Sequence, residues 1–297
     1  MATHLLRAYR VLVRAIWNRV PVSLRLSAPG VAYGAHLHAL TRLCDERGQS
    51  FGTRFLRNRA ELELMCRLLE QNKAPGSSLD ITVLGCSSGA EVYSIKSAIR
   101  SARRDLKVKI HAVDISPDIL RVAETGIYSL KADNLSHDGT HHWSIVERMN
   151  GAELAAMFEV AGDQATVRSA LKEGITWLCG NGSDPALART LGPQDFVVAN
   201  RFLCHMQPDA AENCLRNIAR MVKPGGYLFV SGVDLSVRMK IAREMGLKPV
   251  TDLMREVHEG DPILRRGWPL NYWALEPFRE HRPDWKIRYA AVLQRAG

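Results

Sequence analysis

The run Ile81-Thr-Val-Leu-Gly85-Cys-Ser-Ser-Gly89-Ala-Glu91-Val-Tyr93-Ser constrains the fold more than any other stretch of this chain. A short β-branched run passes into a turn of small residues with two glycines, and then into a helix-like pattern. Glycine tolerates positive φ and lets backbone approach a ligand closely. The helix that follows offers free N–H groups and the positive end of its dipole. A second β-rich run, Val108-Lys-Ile-His-Ala-Val113-Asp114, ends in an acid. An acid at the end of a second strand suits the two hydroxyls of a ribose. Together the two signals predict an adenosine-bearing cofactor on an α/β fold.

The rest of the chain supports that fold. Strands are expected near 81–85, 108–113, 175–179, 195–199 and 227–232, with helices at 90–104, 117–124, 151–159 and 208–221 between them. Such alternation predicts a mostly parallel sheet with helices on both faces. A last strand is expected over Lys286–Leu293. Ahead of this body, 4–20, 31–47 and 54–71 read as helices, followed by the polar linker Gln71–Ser78. The expected organisation is a helical N-terminal domain over 1–74 and an α/β domain over 79–297. The long insert Tyr128–Gly174 reads as a lid or a substrate-facing loop.

Composition narrows the class. The 297 residues are 46% hydrophobic and 24% charged, as in ordinary globular proteins, and no apolar run approaches the roughly 18 residues of a membrane span. Six cysteines without C-x-x-C pairing or zinc spacing, and no signal-peptide pattern, predict a cytoplasmic protein with free thiols. The net charge of +9 is unevenly placed: residues 1–60 hold ten arginines against Asp45 and Glu46. In the first helix Arg7, Arg10 and Arg14 share a face and alternate with Leu5, Tyr9, Leu12, Ile16 and Trp17. Such a head suits an acidic protein, an anionic membrane surface or nucleic acid; a solvated face or packing on its own protein are the structural alternatives.

Charge also discriminates among cofactors. A P-loop needs Lys-Ser/Thr after the turn, but Ala90 and Glu91 follow Gly89. A dinucleotide site needs G-x-G-x-x-G, and Glu91 would repel a pyrophosphate. S-adenosylmethionine carries a cationic sulfonium and no phosphate, so Glu91 and Asp114 attract it.

The chain resembles the chemotaxis receptor methyltransferase (CheR) family. The family's G-C-S-T-G-E-E-P-Y-S turn is matched by Gly85–Ser94, and its T-x-F-F-R motif, placed in the helix before the body, by Thr53-Arg-Phe-Leu-Arg57. Ala112-Val-Asp114-Ile, Ala123-Glu-Thr-Gly126-Ile-Tyr128, Asn181, Asp195-Phe-Val-Val and Lys223-Pro-Gly-Gly226 follow in family order, so the likeness covers roughly 50–232. The resemblance implies a class I methyltransferase body of Rossmann-like form behind a helical N-terminal domain. It implies that S-adenosylmethionine is held by Arg57, Gly85, Ser87, Gly89, Glu91, Asp114, Ile115, Asn181, Gly182 and Asn200, with S-adenosylhomocysteine as product. Arg57 would hold the methionine carboxylate, where bidentate pairing favours arginine; Glu91 and Asp114 would hold the ribose side, and Asn181 would sit beside the adenine.

The acceptor half departs from the pattern. The family's C-R-N-V-x-I-Y-F is here Ala199-Asn-Arg-Phe-Leu-Cys-His-Met206, with Arg and Asn exchanged and His205 in place of tyrosine. The family's G-x-S-E ending is replaced by Gly232-Val-Asp234. The expectation is therefore a small-molecule acceptor with a carboxylate, hydroxyl or amine. Arg201 would hold an acidic acceptor, and His205 would take a proton from a hydroxyl or ammonium. The alternatives are glutamate methylation on a chemotaxis-type receptor, or a non-catalytic regulator that binds the cofactor or a membrane. His137, His141 and His142 show no supporting ligand spacing, so no metal is expected. The N/D-P-P-Y/F motif of amino-methylating nucleic-acid enzymes is absent, so a nucleic-acid acceptor is not expected.

Overall fold

The computed structural model describes residues 2–132, 134–135 and 142–297. His137 and His141 lie outside the described residues. In chain order the strands are β1 (Ser78–Leu84), β2 (Lys107–Asp114), β3 (Ile127–Ser129), β4 (Asn134–Leu135), β5 (His142–Trp143), β6 (Phe158–Ala161), β7 (Gln164–Val167), β8 (Ile175–Cys179), β9 (Gln194–Val198), β10 (Val222–Phe229), β11 (Leu247–Pro249) and β12 (Val292–Arg295).

Seven of them form one sheet in the order β11-β12-β10-β9-β1-β2-β8. The pairings from β10 through β8 are parallel, whereas β12 runs antiparallel to both β10 and β11. The fold is therefore α/β with a mostly parallel sheet, as expected. Central β1 places Ile81 beside Ile110 on one side and Phe196 on the other. Successive side chains of a strand point to opposite faces, and two cores follow from that. Ile81 and Val83 pack with Leu64, Met65 and Leu68 of the helix Arg59–Asn72. Leu84 and Val197 pack with Leu215 and Ile218 of the helix Pro208–Arg220. Each such fully buried aliphatic side chain contributes on the order of 1.5–3 kcal/mol.

Three segments differ from expectation. Thr53–Arg57 is not helical; the helix begins at Arg59. The Phe55 N–H donates to the Ile145 carbonyl at 3.0 Å and the Leu56 N–H to Ser94 Oγ at 3.0 Å, so other elements claim these groups. Asn58 then caps the helix by accepting from the Glu61 N–H. The expected last strand over 286–293 is instead a helix, Trp285–Tyr289, followed by β12. There Tyr289 is buried and donates to Glu276 Oε1 at 2.7 Å, which fixes a turn where the alternating pattern suggested a strand. The insert after Tyr128 carries its own three-stranded sheet, β3-β7-β6, and a helix Gly151–Met157, closed by the Asn150–Glu153 capping box.

Within the N-terminal part, Val13 and Trp17 pack against Leu37 and Leu40 of the helix Ala28–Cys44. Val11, Leu12 and Ile16 of the first helix remain exposed, so among its described side chains these lie off the face that packs internally. Arg47 ties the segment after these helices to the body through Asp234 Oδ2 at 3.0 Å and the Met206 carbonyl at 2.7 Å. No described helix is long and apolar enough to cross a membrane.

Candidate functional site

In open α/β sheets a ligand crevice forms beyond the carboxyl ends of the strands, where the strand order switches direction. Here that point lies between β1 and β9. The turn after β1 has φ of +63° at Gly85, +50° at Ser87 and +85° at Gly89. Asp114, at the end of β2, clamps this turn. Its Oδ2 accepts from the Ser87 N–H at 2.8 Å, and its Oδ1 from the Ser116 N–H at 3.1 Å. Each carboxylate oxygen keeps a second lone pair for a further donor. Ile115, just beyond, is 54% exposed. Just past β8, which pairs with β2, Asn181 Oδ1 accepts from the Ser183 N–H at 2.9 Å, beside half-buried Gly182.

Gly89 has no room for a side chain. A Cβ there would lie 2.9 Å from Trp177 Cη2 and 3.1 Å from Ala123 Cβ, at a φ that L-residues avoid. Gly89→Ala is expected to cost about 1–3 kcal/mol, read as a lower Tm; an unchanged Tm would contradict the tightness of this turn.

A small cleft opens beside the turn, lined among others by Arg57, Glu61, Glu91, Asn200, Ser231 and Asp261. Asn200, at the end of β9, is its hub. Its Nδ2 donates to Glu61 Oε1 at 2.7 Å and to Glu91 Oε1 at 2.9 Å, and its Oδ1 accepts from Ser231 N and Oγ at 2.9 and 2.8 Å. Burial, and then the charge of Glu91, push the Glu61 carboxyl up to about 8. Burial likewise raises Glu91, with Arg57 pulling the other way.

Arg57 donates to the Gly52 carbonyl at 3.2 Å and to Thr53 Oγ1 at 2.9 Å. Burial, and then Arg201, lower its affinity for its proton. Among the described residues no carboxylate lies within ion-pair distance of this guanidinium.

On the acceptor side Arg201 adopts φ +65° and donates through Nη1 to Asp261 Oδ2 at 2.6 Å. Burial drives the Asp261 carboxyl up, but Arg201, Arg57 and Arg148 overcome it and hold the group below its ordinary value. His205 sits in the short 3-10 turn Leu203–His205, with Nδ1 2.8 Å from Tyr272 Oη.

The structure thus gathers Arg57, Glu91 and Asn200 in one cleft, with Gly85, Ser87, Gly89, Asp114, Ile115, Asn181 and Gly182 around the adjoining turn. Arg201 reaches the cleft through Asp261, while His205 is placed against Tyr272. Sequence reasoning missed Glu61, Ser231 and Asp261. Asp261-Pro262 carried a helix-cap signal, but Glu61 looked like any charged helix residue.

A family profile described as "CheR methyltransferase, SAM binding domain" matches residues 52–242. This chain belongs to that family. It is 25% identical to the probable biofilm formation methyltransferase WspC of Pseudomonas aeruginosa, over 59% of this chain and 38% of that protein. It is 30% identical to chemotaxis protein methyltransferase Cher2 of Pseudomonas putida, over 54% of this chain and 56% of that protein. To chemotaxis protein methyltransferase 2 of Vibrio cholerae it is 25% identical, over 70% of this chain and 67% of that protein. The chain thus spans only about a third to two thirds of the length of these relatives. The cofactor of this CheR-type domain is S-adenosylmethionine.

The residues present fit that group. Among the described residues Arg57 lacks a carboxylate partner, Asp114 has acceptor capacity to spare, and the turn carries no lysine to hold phosphates.

Proposed function

We propose that this chain transfers the methyl group of S-adenosylmethionine to a carboxylate oxygen on an acidic protein. The observation that carries the reading is Arg57, a cation in the cleft with no ion-pair partner among the described residues. In this reading Arg57 holds the methionine carboxylate, Asp114 and Glu91 hold the ribose side, Ile115, Asn181 and Gly182 bound the adenine, and Gly85, Ser87 and Gly89 form the turn that lets backbone approach. The helical head over 1–74 and the cofactor-binding body over 79–297 are the two units of the same reading.

When bound, the cofactor supplies an electrophilic methyl group on a sulfonium. The protein's work is then to hold an acceptor oxygen in line and close, which can provide much of the rate. Arg201 carries donors beyond the one it gives Asp261, and its position between the ends of β9 and β10 suits an incoming carboxylate. An ionised carboxylate needs no general base, so His205 positions Tyr272 and the turn around it and moves no proton.

The proteins named as chemotaxis methyltransferases support a protein acceptor for this chain, and the basic head supports an acidic one. The expected small-molecule acceptor draws no support from these relatives. Six unpaired cysteines support a reducing, cytoplasmic setting.

The test uses methyl-labelled S-adenosylmethionine with a glutamate-rich cytoplasmic fragment of a chemotaxis receptor. Label on the fragment that base treatment releases as methanol is expected, as for a methyl ester. Label that survives base would contradict a carboxylate acceptor.

A further inference from the structure

Glu61 lines the cleft, and neither the family motifs nor the reading above uses it. It is 4% exposed, and its Oε2 is buried without a hydrogen-bond partner. Its other oxygen and Glu91 Oε1 accept from the same amide nitrogen of Asn200, at 2.7 and 2.9 Å. Two carboxylates held this close away from water do not both ionise at modest cost.

The surrounding charges leave them short of cations. Arg201 and Arg148 are paired with Asp261. Arg57 faces both Glu61 and Glu91, and Arg201 also pulls on Glu91, while Asp261 adds negative charge and Arg54 adds positive charge near Arg57. His258 lines the same cleft, and burial drives it down to about 4, so it is neutral there at neutral pH.

We propose that Glu61 and Glu91, joined through the Asn200 amide, form a proton-binding pair that releases its proton when the sulfonium cofactor enters the cleft. The proposal rests on the methyltransferase reading. S-adenosylmethionine at neutral pH carries a sulfonium, an ammonium and a carboxylate, a net single positive charge. With its carboxylate on Arg57, that net charge takes over the role of the shared proton, which passes to solvent. Loss of the methyl group leaves a thioether without the sulfonium charge, so the pair takes a proton back when product occupies the cleft. Cofactor is then favoured over product increasingly as pH rises.

The free protein carries the same signature. A carboxyl raised from 4.5 to about 8 by folding contributes stability that is fully present below the unfolded value and is lost as pH rises toward the folded one. Thermal stability of the cofactor-free chain should fall over that interval, and saturating S-adenosylmethionine should flatten the slope.

Calorimetric titrations near neutral pH, in buffers with different heats of ionisation, count the protons exchanged. The expected result is release of a substantial fraction of one proton with S-adenosylmethionine and much less with S-adenosylhomocysteine. Glu61→Gln should keep cofactor binding and lose most of the release, which separates the pair from the cofactor's own ammonium. Binding of both ligands with equal proton exchange in the wild type overturns the proposal without any variant, even should Glu61→Gln fail to fold. Unchanged release in Glu61→Gln overturns it as well. Absence of binding by the folded wild-type chain overturns the methyltransferase reading and the proposal with it.

Discussion

Arg57→Ala is expected to weaken S-adenosylmethionine binding by roughly 30- to 1,000-fold. Among the described residues the guanidinium bonds to the Gly52 carbonyl and Thr53 Oγ1 and to no carboxylate, so its charge is available for an incoming carboxylate. Truncating one partner of a desolvated charge pair costs about 2–4 kcal/mol, which converts to that range. Arg57→Lys keeps the charge but not the two-pronged geometry, and should fall between wild type and alanine. Calorimetric Kd values for the three proteins check this. Equal affinities would remove Arg57 from the cofactor site. The folded state should tolerate the change less at high pH than at low pH, since Glu61 and Glu91 lose the cation that faces both of them.

Asp114→Ala carries the second large effect, and it falls on stability as well as binding. The carboxylate satisfies the Ser87 and Ser116 N–H groups at 2.8 and 3.1 Å. The buried Ser87 N–H left without a partner costs about 1–3 kcal/mol, and the half-buried Ser116 N–H, within reach of water, costs less. At roughly 2–4 °C per kcal/mol for a domain of this size, Tm should fall by several degrees. Cofactor affinity should fall further than the loss of folded fraction explains, because the turn that positions Ser87 relaxes and the ribose acceptor is gone. Thermal unfolding and calorimetry on the same sample separate the two effects. A Tm drop with unchanged affinity would make Asp114 a clamp of the turn alone.

Those two residues also show what was legible in the sequence. Asp114 and the glycine turn could be read because strand, turn and helix are local patterns, and the acid stands at a strand end. The parallel sheet followed from the alternation of such units. Arg57 could be found only through its motif, and its conformation could not: residues 53–57 looked helical, but Ile145 and Ser94 claim the Phe55 and Leu56 N–H groups from far along the chain. Glu61 was illegible for the same reason. In Arg59-Ala-Glu-Leu-Glu-Leu it is indistinguishable from Glu63, yet Glu63 is exposed and paired with Arg67, whereas Glu61 meets Asn200, 139 residues away. The alternating pattern of Lys286–Leu293 misled because a short-range signal could not reveal the hold of Glu276 on Arg288 and Tyr289.

The central claim is that this cleft takes a cationic, phosphate-free adenosine cofactor. Parallel titration of the folded chain with S-adenosylmethionine and with ATP tests it most directly. Glu91 in the first turn of its helix and the absence of a lysine in the Gly85–Gly89 turn predict saturable binding of S-adenosylmethionine and none of ATP. A folded chain that binds ATP in preference, or neither ligand, would contradict it.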